Sequence, residues 1–147
     1  MLDAVAWHLV KLYGTTQGWE MLPGVEAALQ CFGSQGLKMG VISNIDPRVD
    51  GILQQAGIRH HFEFVLSSYE AGHAKPDPLI FSKALEKLGS AVLPSECCHV
   101  GDTLETDYQG AVAAGWKAVL VGAKEANSEA RNQCSKIEEL SSIIQTM

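Results

Sequence analysis

The sequence predicts an α/β fold: a parallel sheet with helices on both faces. Two observations lead there. Four short apolar runs, LKMGVIS, FEFVLS, CCHVG and KAVLV, alternate with segments of helical periodicity, the pattern of strands joined by crossover helices. The polar residues of chemical interest follow the first three runs closely, and parallel sheets of this kind bind ligands beyond the carboxyl ends of their strands.

Taken in order, Leu2, Val5, Ala6, Leu9, Leu12 and Tyr13 fall on one face of a helix over 2–13. A polar stretch, Gly14 to Glu20, breaks that pattern. Pro23 and Gly24 then open a helix, Val25 to Phe32, which stops near Gly33. Leu37–Ser43 reads as the first strand. Asp46–Gly57 reads as a helix, with Asp46 as N-cap and Pro47 at the first helical position. Phe62–Ser67 is a second strand, and Pro78–Leu88 a helix capped by Asp77. Cys97–Gly101 is a third strand, Leu104–Ala114 a helix stopped by Gly115, Lys117–Val121 a fourth strand, and Ser135–Gln145 a terminal helix. Right-handed crossovers place all the strand C-termini on one edge.

Bulk properties narrow the function classes. The 147 residues suffice for one core. A net charge of −6 argues against non-specific nucleic-acid binding, which needs a basic face. No apolar run reaches the roughly 18–20 residues of a membrane helix. Cys31, Cys97, Cys98 and Cys134 contain no CxxC pair, so they read as reduced structural thiols. That usage leads us to expect an intracellular, cytoplasmic protein. The segment MLDAVAWHLVKLYG lacks the basic n-region of a signal peptide. Oligomeric state is not legible.

The expected site lies at the carboxyl edge. Ser43 and Asn44 end the first strand, Lys75 lies in the loop after the second, and Asp102 ends the third. Asp107 sits five positions on, about one helical turn into the next element. Asp102 and Asp107 are hard oxygen ligands suited to Mg2+, and Lys75 offers a compact charge for a phosphoryl oxygen. Ser43 supplies a hydroxyl, and the backbone N–H of Asn44 can hold an anion at the following helix start. Such a set describes phosphoryl transfer, where catalysis is largely positioning and charge neutralisation. Each piece alone also reads blandly: VISNIDP and AKPDP as capped helix starts, GDTLETD as a glycine turn before an acidic first turn. Capping does not readily explain all three in this order, each after a strand.

VISN with Ser43, AKPDP with Lys75 and HVGDTLETD with Asp102 and Asp107 resemble the second, third and fourth motifs of the haloacid dehalogenase-like hydrolases. MLPGV at 21–25 resembles the return from that family's helical cap to its core. The resemblance implies a Rossmann-like core over 21–147, preceded by a cap remnant over 1–20. By position, it assigns Ser43 and Asn44 to the phosphoryl group and Lys75 to charge neutralisation. Asp102 would bind Mg2+ directly, and Asp107 directly or through water. The paired carboxylates favour the magnesium-dependent phosphatase type, acting on a small phosphorylated substrate, over a true dehalogenase.

One family feature is missing. The nucleophile is an aspartate in a DxDxT-type motif ending the first strand, upstream of the cap, and no such motif occurs here. In the family that strand lies between those ending here at Ser43 and Gly101. Its absence leaves two unpaired strand edges and removes the covalent intermediate, so the chain alone is expected to be inactive and poorly stable. The competing reading is a non-catalytic module binding metal or phosphate. A receiver-like domain is weaker, because no acidic cluster follows the first strand. Among the remaining polar and aromatic residues, His60 and His61 read as flanking a helix end, His73 as a residue of the site loop, and His99 as a satisfied core histidine. Trp7 and Trp19 read as packing residues of the cap remnant and its exit, Trp116 as packing at a strand start, and Cys98 as a buried thiol, not a nucleophile.

Overall fold

The computed structural model describes residue 12 and residues 14–122 and 127–147. The helix expected over 2–13 therefore lies outside the described residues apart from Leu12, as does Trp7. The described residues form five strands: β1 (Gly40–Ser43), β2 (Phe64–Ser67), β3 (Cys98–Gly101), β4 (Lys117–Val121) and β5 (Gln133–Cys134). The helices are α1 (Val25–Ser34), α2 (Arg48–Gln55), α3 (Ser68–Ala71), α4 (Pro78–Leu88), α5 (Gly110–Ala113) and α6 (Leu140–Gln145).

All pairing is parallel, but it forms two sheets. β1 pairs with β2, Ser43 lying level with Ser67. β3 pairs with β4, and β4 with β5. Among the described residues no ladder joins β1 to β3. A groove of about 500 Å3 separates them, with Val41 and Ile42 on one wall, Cys98 and Val100 on the other, and Leu29 and Phe32 of α1 among its lining. This is where the sequence led us to expect two unpaired edges.

Alternation along the strands sorts the core into two layers. Ala118 and Leu120 of β4 join Ile80, Phe81 and Ala84 of α4 on one face. Val119 and Val121 join Phe32 of α1 and Leu140 of α6 on the other. Helices thus cover both faces. Ile80 and Phe81 are fully buried, and each such side chain contributes roughly 1.5–3 kcal/mol. Trp116 is buried just before β4, edge-on to Phe81 with ring centroids 5.5 Å apart, as expected of a packing residue.

Several expectations need correction. The first three strands begin one to three residues later than their apolar runs, because the leading residues approach the sheet as loop. Pro47, not Asp46, holds the N-cap position of α2; Asp46 instead accepts from the Arg48 backbone N–H at 3.0 Å and pairs with its guanidinium. The single helix expected over 104–114 is a π-helical segment, Leu104–Gln109, followed by the short α5. There the Tyr108 N–H reaches the Thr103 carbonyl, five residues back, a widened turn of the kind often found at functional sites. The terminal helix starts as a 3-10 turn at Ile137, and its first expected residues follow β5, which is too short to show a periodicity. The sequence reading also missed α3, whose N-terminus is a reciprocal box between Ser67 and Glu70.

Candidate active site

Every strand-end residue named from the sequence lies at the carboxyl edge, and one hydrogen-bonded network ties four of the five together, Asp102 joining it through Thr103. Lys75 is the hub. Its loop lies against the end of β1 because the Asn44 side chain grips its backbone from both sides: the Lys75 N–H donates to Asn44 Oδ1 at 2.8 Å, and Asn44 Nδ2 donates to the Lys75 carbonyl at 2.9 Å. The Lys75–Pro76 peptide is cis. Beyond it, Asp77 caps α4 by accepting from the Leu79 N–H at 2.9 Å.

The ammonium of Lys75 donates to the Ile42 carbonyl at 2.9 Å and to Asp107 Oδ1 at 2.6 Å. Both side chains of this pair are nearly buried, at 10% and 7% exposure. Asp107 also accepts from His99 Nε2 at 3.2 Å, which requires that nitrogen to carry the proton, and from the Thr103 N–H at 3.0 Å. Burial alone would raise the Asp107 pKa. The hydrogen bonds from His99, Lys75 and Thr103, with the lysine charge, overcome it and hold the carboxyl well below the usual carboxylate range. Asp107 is therefore held against Lys75 as the carboxylate at neutral pH.

Gly101 makes this possible. A Cβ there would lie 2.3 Å from Asp107 Cγ, so only glycine lets the carboxylate pass beneath the end of β3. The widened turn over 104–109 carries Asp107 into that space.

Asp102 differs from Asp107. It is exposed, and its Oδ1 accepts from the Thr103 hydroxyl at 3.2 Å. Thr103 thus touches both carboxylates, one through its side chain and one through its backbone. Ser43 is half-buried at the last position of β1, next to the Ile42 carbonyl that Lys75 holds. Beside this edge lies an open hollow of about 680 Å3, lined by Asn44, Asp46, Tyr69 and His73. His73, expected in the site loop, bonds Asp77 at 2.9 Å.

Two site residues escaped the sequence reading. Thr103 gave no signal beyond its place between the aspartates. His99 read as a satisfied core histidine, which it is: buried, edge-on to Phe81, and bonded to a partner. Its partner is Asp107, and only the strand register shows that the His99 side chain faces it. Cys98 lines the groove side of β3, and burial pushes its thiol up to about 11 against the opposing charge of Lys117. It is not an activated nucleophile. No helix among the described residues is long and apolar enough to cross a membrane.

The family model for haloacid dehalogenase-like hydrolase matches residues 2–115. The haloacid dehalogenase-like hydrolase domain-containing protein 3 of Bos taurus is 42% identical over 121 residues, covering 82% of this chain and 47% of that protein. A phosphoserine phosphatase of Thermus thermophilus is 39% identical over 104 residues, covering 70% of this chain and 41% of that protein. The HAD phosphatase structure from Thermococcus onnurineus superposes with a TM-score of 0.79 at 27% identity, covering 85% of this chain and 58% of that one. The chain spans about half the length of the curated relatives it matches. With the parallel strands, the strand-end lysine and the two carboxylates after β3, these matches make the chain a member of the haloacid dehalogenase-like hydrolase family.

Proposed function

We propose that this chain carries the phosphate- and magnesium-binding part of a phosphatase-type site for a small phosphorylated substrate. The aspartyl nucleophile of that site belongs to a further strand seated between β1 and β3. The observation that carries the reading is the position of Lys75. Its ammonium is fixed to the Ile42 carbonyl on β1 and to Asp107 after β3, so it spans the carboxyl end of the groove. A carboxylate at the end of a strand in that groove would face it.

In this reading Ser43 donates to a phosphoryl oxygen, and Lys75 neutralises charge between phosphoryl group and nucleophile. Asn44 acts through Lys75, by fixing its backbone. Asp102 fits Mg2+: it is an exposed hard-oxygen ligand with the Thr103 hydroxyl beside it. Asp107 already accepts three hydrogen bonds, which suits orienting Lys75 and reaching the metal through water. Bound magnesium would supply Lewis-acid polarisation of a phosphoryl oxygen. Residues 1–20 are assigned to the end of a cap and 21–147 to the core. Without the nucleophile strand the chain holds phosphate but does not turn it over.

The test is binding. The 31P resonance of orthophosphate, with Mg2+ present, is expected to broaden on addition of folded chain. Lys75→Met or Asp102→Asn should abolish the broadening. Equal broadening by either variant would remove the site from this edge. A module that only binds phosphate shares these residues, and turnover in a chain that includes the nucleophile strand separates the two.

A further inference from the structure

A second set of ligating side chains lies away from the strand-end site. It sits where the turn Arg59–His61 approaches the first turn of α1, before the start of β2. Glu26, His60 and His61 each offer a ligand atom, and the three atoms lie within 4.8 Å of one another. His61 is nearly buried and its Nε2 is 3.1 Å from Glu26 Oε1. The tight turn folds the two consecutive imidazoles together, with ring centroids 4.0 Å apart and planes at 37°.

The surroundings favour a cation. Glu26 supplies a carboxylate at the solvent-facing side of the cluster. Gln30, one turn along α1, donates to Glu26 Oε1 at 3.0 Å, the kind of outer contact that orients a metal-binding group. The positive charge in the turn is directed elsewhere: Arg59 Nε pairs with Asp50 at 2.5 Å, and its Nη1 donates to the Phe62 carbonyl at 2.6 Å. A His61–Glu26 hydrogen bond alone would account for those two residues. It does not account for the exposed His60 ring held against His61.

We propose that Glu26, His60 and His61 form a binding site for a divalent transition-metal ion of the zinc type, distinct from the strand-end site. Two imidazoles and one carboxylate suit Zn2+, whereas Mg2+ takes oxygen ligands. Zinc bonds of about 2.1 Å in a tetrahedron set neighbouring ligand atoms roughly 3.4 Å apart, with water in the fourth position. The present spacing differs from that by the scale of a side-chain rotation. An ion here ties α1 to the segment entering β2, and so pins the helix that lines the groove between the sheets.

The test uses the whole chain, stripped of metal and held in excess Mg2+, titrated with Zn2+ against a chromophoric chelator. Glu26→Gln and His60→Ala are measured beside it, with circular dichroism confirming the fold of each; both side chains are solvent-exposed enough to tolerate the change. One equivalent of zinc is expected, bound at least about tenfold more weakly by each variant, and unaltered by Lys75→Met. Substituted Co2+ should show ligand-field bands without a thiolate charge-transfer band. Three results would overturn the assignment: unchanged affinity in the variants, a thiolate band placing the metal on cysteine, or no stoichiometric zinc on the folded protein.

Discussion

Replacing Asp107 with asparagine tests whether the Lys75 cluster is held by charge and by a specific donor arrangement. The carboxylate receives Lys75 and His99 on Oδ1 and the Thr103 N–H on Oδ2. An amide is isosteric but presents one acceptor and one donor. With its oxygen toward Lys75, its NH2 meets the Thr103 N–H; turned over, it meets the ammonium and the imidazole. Either way donors face donors, and Lys75 is left nearly buried without its counter-charge. Breaking a buried pair from one side costs about 3–5 kcal/mol, and for a chain of this size 1 kcal/mol moves Tm by roughly 2–4 °C. Thermal unfolding followed by circular dichroism at pH 7 should show Asp107→Asn melting about 10 °C below the parent. Lys75→Met with Asp107→Asn should recover part of that loss, since the stranded charge is gone. The pH dependence has a fixed sign. The folded Asp107 pKa lies below its unfolded value, so its contribution is complete above the ordinary carboxylate pKa of about 3.9. It is lost as pH falls from there toward the folded value. The gap between parent and variant should be flat above about pH 5 and close below about pH 4. A variant melting within 2 °C of the parent, by the same roughly 1 kcal/mol criterion, or a gap that widens in acid, would refute the reasoning.

Three further outcomes are expected. Gly101→Ala puts a methyl group into the Asp107 carboxylate and should cost about 1–3 kcal/mol in urea unfolding, together with loss of Mg2+-dependent phosphate broadening. Asn44→Ala frees the Lys75 loop: stability should fall by only about 1 kcal/mol, while hydrogen exchange at the Lys75 amide accelerates far more than at β4. Cys98, with its thiol pushed up to about 11, exposes roughly one part in a thousand as thiolate at pH 8. Iodoacetamide mapping by mass spectrometry should find it modified more slowly than Cys31, and equal rates would contradict its burial.

What was legible in the sequence follows from which physics is local. KAVLV gave β4 without error because it is a continuous β-branched and apolar run buried on both faces. The first three strands start later than their runs because Leu37, Phe62 and Cys97 are apolar, and a loop approaching the sheet tolerates apolar residues as readily as a strand does. Ser43, Asn44, Lys75, Asp102 and Asp107 were singled out because each lies at or beyond a strand end, a property visible along the chain. The role of Asn44 as a clamp on Lys75, the His99–Asp107 contact and the bridging Thr103 depend on pairs 4 to 31 residues apart. Those partners are set by register, not by local pattern. The groove between β1 and β3 was anticipated only through the family resemblance, since no periodicity records a neighbour outside the sequence. His60 and His61 were read as helix-end residues, and Glu26 was not singled out, because nothing local brings α1 to the turn before β2.

The most direct test of the central claim is turnover. Folded chain, verified by circular dichroism, is assayed with p-nitrophenyl phosphate and Mg2+ beside Asp102→Asn. The account predicts no magnesium-dependent hydrolysis by either protein, since the lysine and the metal ligands are in place but the attacking carboxylate is not. Hydrolysis by the parent that Asp102→Asn abolishes would contradict it, and would mean that a nucleophile lies within these 147 residues.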